Sequence, residues 1–349
     1  MSNLDVSKLN FKVIAPIAVA GAAVIYFGLS SYAGSQAEKK LGDYLYENRL
    51  DSYVSWKSVS SSPFGGTVTI KGLTVESKEF IPVELSIEKL VIKNYKDDDD
   101  RFSADLYFHE IQPTYPDSDF AKAYNQEIFG SLLYASGQTQ VAPYDLSVGW
   151  DYRADERHLI TQADVDLPNL FTGQVKVDLE GVRDIKSALF LTQIHPALDV
   201  LPGIPNELLG MNNRAINELK RDIQSITLNA LDFSFKDQGY LKRANLLDKR
   251  YNITPVKVTD NAEKEREKLF EKQYENNYEH CVKEFDSVYK NAKKACKAVI
   301  GTWYSQEKGF KVAMKPSSKV RLEDFSRLQG NKREQGRFIE RLNLDVTTY

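Results

Sequence analysis

The chain has 349 residues, enough for one or two folded units with hydrophobic cores. Lys and Arg total 46 against 49 for Asp and Glu, a net charge of −3 that is too balanced for a phosphate-tracking surface, so we expect no nucleic acid partner. A hydrophobic fraction of 42% with only 4 His and 2 Cys excludes a disordered chain, a multi-site metalloprotein and a dense disulfide scaffold.

The first element predicted along the chain is a membrane anchor. No residue from Val13 to Ala37 is charged, and a helix of that length measures about 37 Å, more than the hydrocarbon layer of about 30 Å. We therefore predict a cytoplasmic tail at residues 1–12 and a transmembrane helix at residues 13–33. A cleaved signal peptide is the alternative, because Lys8 and Lys12 precede the apolar stretch.

Both interpretations of this segment place the rest of the chain outside the cytosol. Lys8 and Lys12 before the segment and Lys39 and Lys40 after it nearly balance the positive-inside count. The orientation therefore rests on the simpler arrangement, a short inner tail and a long translocated domain.

Alternation of apolar and polar residues predicts β-strands through most of the exported part. The clearest run, at 144–152, points its apolar side chains one way and its polar ones the other, and similar runs follow at 159–167 and 171–179. Such one-sided strands are typical of antiparallel sheets. Near Gly72 the alternation switches parity, which predicts a bulge. Further candidate strands lie at 83–92, 102–108, 226–235, 310–314 and 342–346.

The predicted fold is α+β, with an N-terminal transmembrane helix, a mostly antiparallel, curved β-sheet domain and a long α-helix in the C-terminal region. We assign residues 34–235 to a β-rich domain with helical insertions near 118–134 and 205–223. Residues 236–349 are assigned to a helical segment with terminal strands that pack on the sheet.

The long helix is predicted from Ala262 to Trp303, where apolar residues recur every three or four positions on a highly charged background. Either this helix lies across the sheet, or its apolar stripe docks a partner. The candidate docking stripe consists of Phe270, Tyr274, Tyr278, Phe285 and Val288.

The two cysteines, Cys281 and Cys296, constrain this helix. On one unbroken helix they would lie about 22 Å apart, whereas a disulfide requires α-carbons within about 7 Å. Either the helix is continuous and both thiols are buried, or it folds back at 286–291 and the cysteines pair. No Gly or Pro lies at 286–291 to favour a turn.

The sequence contains no recognisable catalytic, cofactor-binding or metal-binding set of residues, and we expect no cofactor. His280 next to Cys281 lacks the ligand spacing of a metal site, because adjacent helical residues diverge by about 100°. The four aspartates at 97–100 lack the alternating spacing of a calcium loop and are interpreted as a solvated loop.

The layout resembles a known group of envelope proteins. An anchor followed by YVSWKSVSSSPFGGTVTIKGLTV at Tyr53–Val75 and by repeated amphipathic strands resembles the YdgA-like and AsmA-like membrane-anchored, periplasm-facing proteins of Gram-negative bacteria. The segments SFKDQGYLKRA (Ser234–Ala244) and FKVAMKPSSKVRLEDF (Phe310–Phe325) are similar to C-terminal patterns of bacterial envelope proteins. The resemblance implies a single-pass inner-membrane protein with its large domain in the periplasm and a role that involves lipids.

Three functions follow from these observations. The first is a non-enzymatic envelope role, as a scaffold or as a groove for a lipid or other hydrophobic ligand. The second is an accessory subunit of a larger membrane complex that docks through the 262–303 helix. The third is an envelope hydrolase with a dispersed active site, which would need several carboxylates and a histidine to converge in a cleft.

Overall fold

The computed structural model describes residues 34–47, 51, 53–62, 66–77, 83–114, 142–183, 224–255 and 261–349. Among these residues no helix is long and apolar enough to cross a bilayer. The predicted tail at 1–12, the predicted anchor at 13–33 and the predicted helical insertions lie outside the described residues.

The α+β class and the antiparallel sheet are confirmed. The strands are β1 (Val54–Ser55), β2 (Ser58–Ser61), β3 (Thr67–Ser77), β4 (Val83–Asp97), β5 (Arg101–Thr114), β6 (Tyr144–Arg153), β7 (His158–Leu167), β8 (Phe171–Glu180), β9 (Thr227–Asp237), β10 (Gly309–Met314), β11 (Val320–Arg321) and β12 (Leu344–Thr348). The helices are α1 (Gly34–Glu47), α2 (Tyr240–Tyr251), α3 (Ala262–Phe285), α4 (Ala292–Trp303), a 3₁₀ helix (Leu322–Gln329) and α5 (Lys332–Leu342).

The described chain divides into two compact units. Unit 1 contains the described residues up to 163 together with those of 179–226, and unit 2 contains residues 164–178 and the described residues from 227 to 349. The division therefore passes through β7 and β8.

Unit 1 is a sheet with the order β1-β3-β4-β5-β6-β7, with β2 beside β3. The ladders from β3 to β6 are antiparallel, and their apolar residues form a tight core in which Ile70, Leu90 and Leu106 are almost fully buried. Helix α1 packs against β2 and buries Leu41 and Leu45, which its sequence places four residues apart on one face.

Unit 2 combines a sheet with the order β7-β8-β9-β10-β12, with β11 beside β9, and the helices α2 to α5. Helix α4 packs against both α3 and β12. Three apolar clusters form its helical core, centred on Phe270, Val288 and Phe338.

Asp324 links the 3₁₀ helix to α5 in unit 2. Its Oδ2 lies 2.7 Å from Arg341 Nη2 and accepts a hydrogen bond from Arg321 N at 3.0 Å, while Oδ1 lies 3.1 Å from Arg327 Nη2. Burial alone would raise the pKa of the Asp324 carboxyl, but the donors Arg321 and Arg341 and the charges of Arg341 and Arg327 together lower it. The ionised carboxylate is therefore the form that stabilises the fold.

We expect Asp324→Asn to lower the free energy of unfolding at about pH 7 by about 1–3 kcal/mol, because it removes charge-assisted hydrogen bonds. A lowered pKa contributes stability above the unfolded-state value that is lost as the pH falls through the folded-state value, so the two proteins should converge at acid pH. Urea unfolding of wild type and variant at about pH 7 and about pH 3 measures this. An equal difference in unfolding free energy between wild type and variant at both pH values would contradict the prediction.

Candidate apolar binding face

Four phenylalanine rings form a continuous row across three neighbouring strands of unit 2. Phe171 of β8 lies 5.3 Å from Phe235 of β9, and Phe310 of β10 lies 5.9 Å from Phe235 and 5.8 Å from Phe233, measured between ring centroids. Phe310 is the cross-strand partner of Phe235, and Val312 that of Phe233, so these side chains share one side of the sheet. We call the surface formed by Phe171, Phe233, Phe235, Phe310 and Val312 the aromatic face.

The opposite side of the same strands is polar. Lys236 and Lys311 alternate with Phe235 and Phe310, are exposed, and place their Nζ atoms 5.3 Å and 4.5 Å from the centre of the Tyr349 ring. The sheet of unit 2 therefore has one polar, solvent-exposed side and one apolar side.

The aromatic face is largely but not completely covered by the chain itself. All five of its side chains are half-buried, whereas Leu106 and Phe108 on β5 of unit 1, which show the same alternation, are 2% and 4% exposed. Apolar surface left in water costs roughly 25 cal/mol per Å², so a hydrophobic ligand that covered these rings would gain that free energy. The arrangement can bind by apolar contact and offers no nucleophile.

The two cysteines form a disulfide, which is one of the two alternatives that their spacing left open. Cys281 of α3 and Cys296 of α4 have sulfur atoms 2.06 Å apart and α-carbons 5.9 Å apart. The prediction of one continuous helix from 262 to 303 is wrong, because α3 ends at Phe285 and α4 begins at Ala292, and the two form a hairpin.

Packing explains a turn that the sequence does not signal with Gly or Pro. Tyr289 N still donates a helical hydrogen bond to Phe285 O at 2.8 Å. After Tyr289 the backbone leaves the path of α3. Val288 and Tyr289 are buried against Ala292, and the Tyr289 hydroxyl donates to the Leu344 carbonyl at 2.9 Å. These contacts direct the turn onto the rest of unit 2.

The candidate docking stripe does not form one exposed surface. Phe270 is buried with Ile253 and Tyr304, and Val288 is buried at the turn. Tyr274 and Tyr278 are half-buried and stack on each other with ring centroids 6.3 Å apart. Only Phe285, at 50% exposure, has half of its surface in water. Most of the stripe therefore packs within the chain.

One group of carboxylates with a histidine does converge, on the sheet of unit 1. His109 Nδ1 lies 3.3 Å from Asp145 Oδ2, and Glu110 N donates to Asp145 Oδ1 at 2.9 Å. A hydrogen bond with Glu88 and the charge of Glu88 raise the pKa of the Glu110 carboxyl. The three carboxylates are exposed on an open surface and not enclosed in a cleft, so water competes for every contact.

Within the described ranges, no group of three or more His, Cys, Asp or Glu side chains is placed to hold a metal ion. Comparison of the chain with protein-family models and with curated proteins gives no match.

Proposed function

We propose that this chain is a single-span, membrane-anchored protein of the bacterial inner membrane with a non-enzymatic role in the periplasm, and that its aromatic face binds the acyl chains of a lipid. The apolar N-terminal segment and the resemblance to YdgA-like and AsmA-like proteins support the location. The row of phenylalanine rings on this face, which keeps part of its apolar surface in water, is the observation that carries the binding role.

Acyl chains suit this surface better than a polar ligand does. The rings of Phe171, Phe235 and Phe310 follow one another across the strands at 5.3 Å and 5.9 Å, which gives an extended apolar strip instead of an enclosed pocket. Neighbouring rings are tilted by 34° or more, so they form a ridged surface that fits flexible chains better than a flat ring system. Binding then depends on apolar area removed from water.

A second candidate function is docking of a partner subunit at the turn of the hairpin. Phe285 is half exposed there, and the adjacent Asp286 lines an open depression of about 490 Å³ together with Tyr278. This smaller surface replaces the full stripe, since Phe270 and Val288 are buried. The hydrolase receives least support, because the carboxylates near His109 are open to water.

We expect lipids that carry a photoreactive diazirine in the acyl chain to crosslink to β8, β9 and β10 of the full-length protein in proteoliposomes. Phe235→Asn should reduce crosslinking on these strands several-fold, because it places an amide in the apolar strip. Lys236→Asn is the matched control, since it makes the same new residue one position along on the opposite side. Peptide mapping by mass spectrometry measures the yield. Equal labelling of both variants, or no labelling of these strands in wild type, would refute lipid binding at this face.

A further inference from the structure

Helices α2 and α4 concentrate positive charge in a chain that is negative as a whole. Together they contain one acidic residue, Asp248, and seven basic residues, while the full chain has a net charge of −3. The basic residues are Lys242, Arg243, Lys249, Arg250, Lys293, Lys294 and Lys297. This surface therefore carries a local charge opposite in sign to that of the protein.

The same two helices also concentrate exposed apolar side chains. Of the eight large hydrophobic residues that are exposed in the described part of the chain, four belong to them: Leu246 at 55%, Tyr251 at 65%, Val299 at 37% and Trp303 at 49%. Soluble surfaces usually carry such residues singly, so their concentration on two short helices calls for a binding partner.

The C-terminal end of α4 contacts α2 through one side chain. Asn245 Nδ2 donates to the carbonyl of Trp303 at 3.0 Å and to Ser305 Oγ at 2.8 Å, so the C-terminal end of α4 lies against α2. Leu246 is the next residue of α2 after this contact, and its exposed helical neighbours at i−4 and i+4 are Lys242 and Arg250. We call Lys242, Leu246, Arg250, Val299 and Trp303 the basic apolar patch.

Within the part of the chain that the structure describes, some of this positive charge has no ion-pair partner. Lys249, Lys294 and Lys297 pair with Glu267, Asp345 and Glu307. Lys242, Arg250 and Lys293 form no ion pair with any other described residue. A ligand that matches them must be anionic.

We propose that the basic apolar patch is a second, peripheral membrane contact that binds the surface of a bilayer containing anionic phospholipids. Trp, Leu and Val insert at the boundary between headgroups and acyl chains, where Trp is favoured, while Lys and Arg remain at the level of the phosphates. Each basic side chain near an anionic surface strengthens binding by about fivefold. An acidic protein or a nucleic acid would use the charges but gain little from the three large exposed hydrophobic residues of the patch. The inference goes beyond the proposed function and needs no ligand on the aromatic face.

The test measures whether Trp303 touches lipid. Full-length protein is reconstituted in vesicles of phosphatidylcholine, with or without phosphatidylglycerol, whose acyl chains are brominated close to the headgroup. The difference in fluorescence quenching between wild type and Trp303→Phe isolates the contribution of Trp303 from those of Trp56 and Trp150. We expect this contribution to be large in anionic vesicles, small in neutral ones, and reduced by added salt, which screens the charges.

Two charge-reversal variants decide the role of the patch. Lys242→Glu combined with Arg250→Glu should reduce Trp303 quenching in anionic vesicles to the neutral-vesicle level. Lys264→Glu combined with Lys268→Glu makes the same charge change at exposed positions of α3 and should leave quenching unchanged. Equal quenching of wild type in both lipids, insensitivity to salt, or equal loss in both variants would overturn the proposal. The comparison of wild-type quenching between anionic and neutral vesicles remains valid even if a charge-reversal variant does not fold. Crosslinks on β8–β10 report separately on the aromatic face.

Discussion

Replacing Cys281 and Cys296 together with serine is expected to lower the free energy of unfolding by about 3 kcal/mol. The disulfide closes a loop with a sequence separation of 15 residues, and a loop of about that length restricts the unfolded chain by this amount in the chain-entropy model. The loop contains no Pro, which would already restrict the unfolded chain locally.

Urea unfolding of the full-length protein, with and without dithiothreitol, measures this prediction. The reductant should lower the midpoint of wild type and leave that of the double-serine variant unchanged, which controls for effects elsewhere in the chain. If reduction does not move the wild-type midpoint, contacts of Val288, Tyr289 and Tyr304 alone hold the hairpin, and the disulfide contributes nothing measurable.

Sequence periodicity predicts the strands well where one face of a strand is apolar and the other is polar. The run at 144–152 became β6 (Tyr144–Arg153), and the runs at 159–167 and 171–179 became β7 and β8 with ends that agree within one residue. Alternation is a local property of the chain, so the sequence alone contains it.

The parity switch near Gly72 predicts a bulge, and that prediction is wrong for the ladder between β3 and β4. Lys71 pairs with Lys89 and Leu73 with Ile87, so the register continues without an inserted residue. Gly72 instead adopts a left-handed backbone with φ of 59°. Strand β4 changes face at the same level, because its buried residues shift from Ile87 to Leu90. Because both strands change face at the same level, their pairing register is preserved. The sequence of β3 alone shows the change of parity but not the matching change in β4.

The aromatic face was not predicted as a site, although its strands were. Phe233 and Phe235 recur at period two in β9, but Phe310 joins them only because β9 and β10 pair across more than 70 residues of sequence. No local pattern encodes that pairing. The hairpin shows the same limit: the spacing of Cys281 and Cys296 defined two exclusive alternatives, and tertiary contacts at the turn selected one.

Replacing Phe270 with alanine is expected to lower the free energy of unfolding by about 3–5 kcal/mol, the usual cost of removing a buried phenylalanine side chain. The ring is 4% exposed, lies 5.1 Å from the Tyr304 ring between centroids, and has Lys249 Nζ 4.9 Å from its centre. Phe285→Ala, on the same helix but at 50% exposure, should change stability by no more than about 0.5 kcal/mol. Urea unfolding of both variants measures the difference.

The same pair of variants separates folding from docking. If a partner subunit binds the hairpin, Phe285→Ala should weaken its capture while leaving the unfolding midpoint unchanged, because Phe285 has half of its surface available. Loss of a partner with Phe270→Ala would instead report damage to the hairpin, because that ring faces Tyr304 and Ile253. A Phe270→Ala protein as stable as wild type would contradict the buried position of this side chain, and the continuous docking stripe would then become the better account of α3.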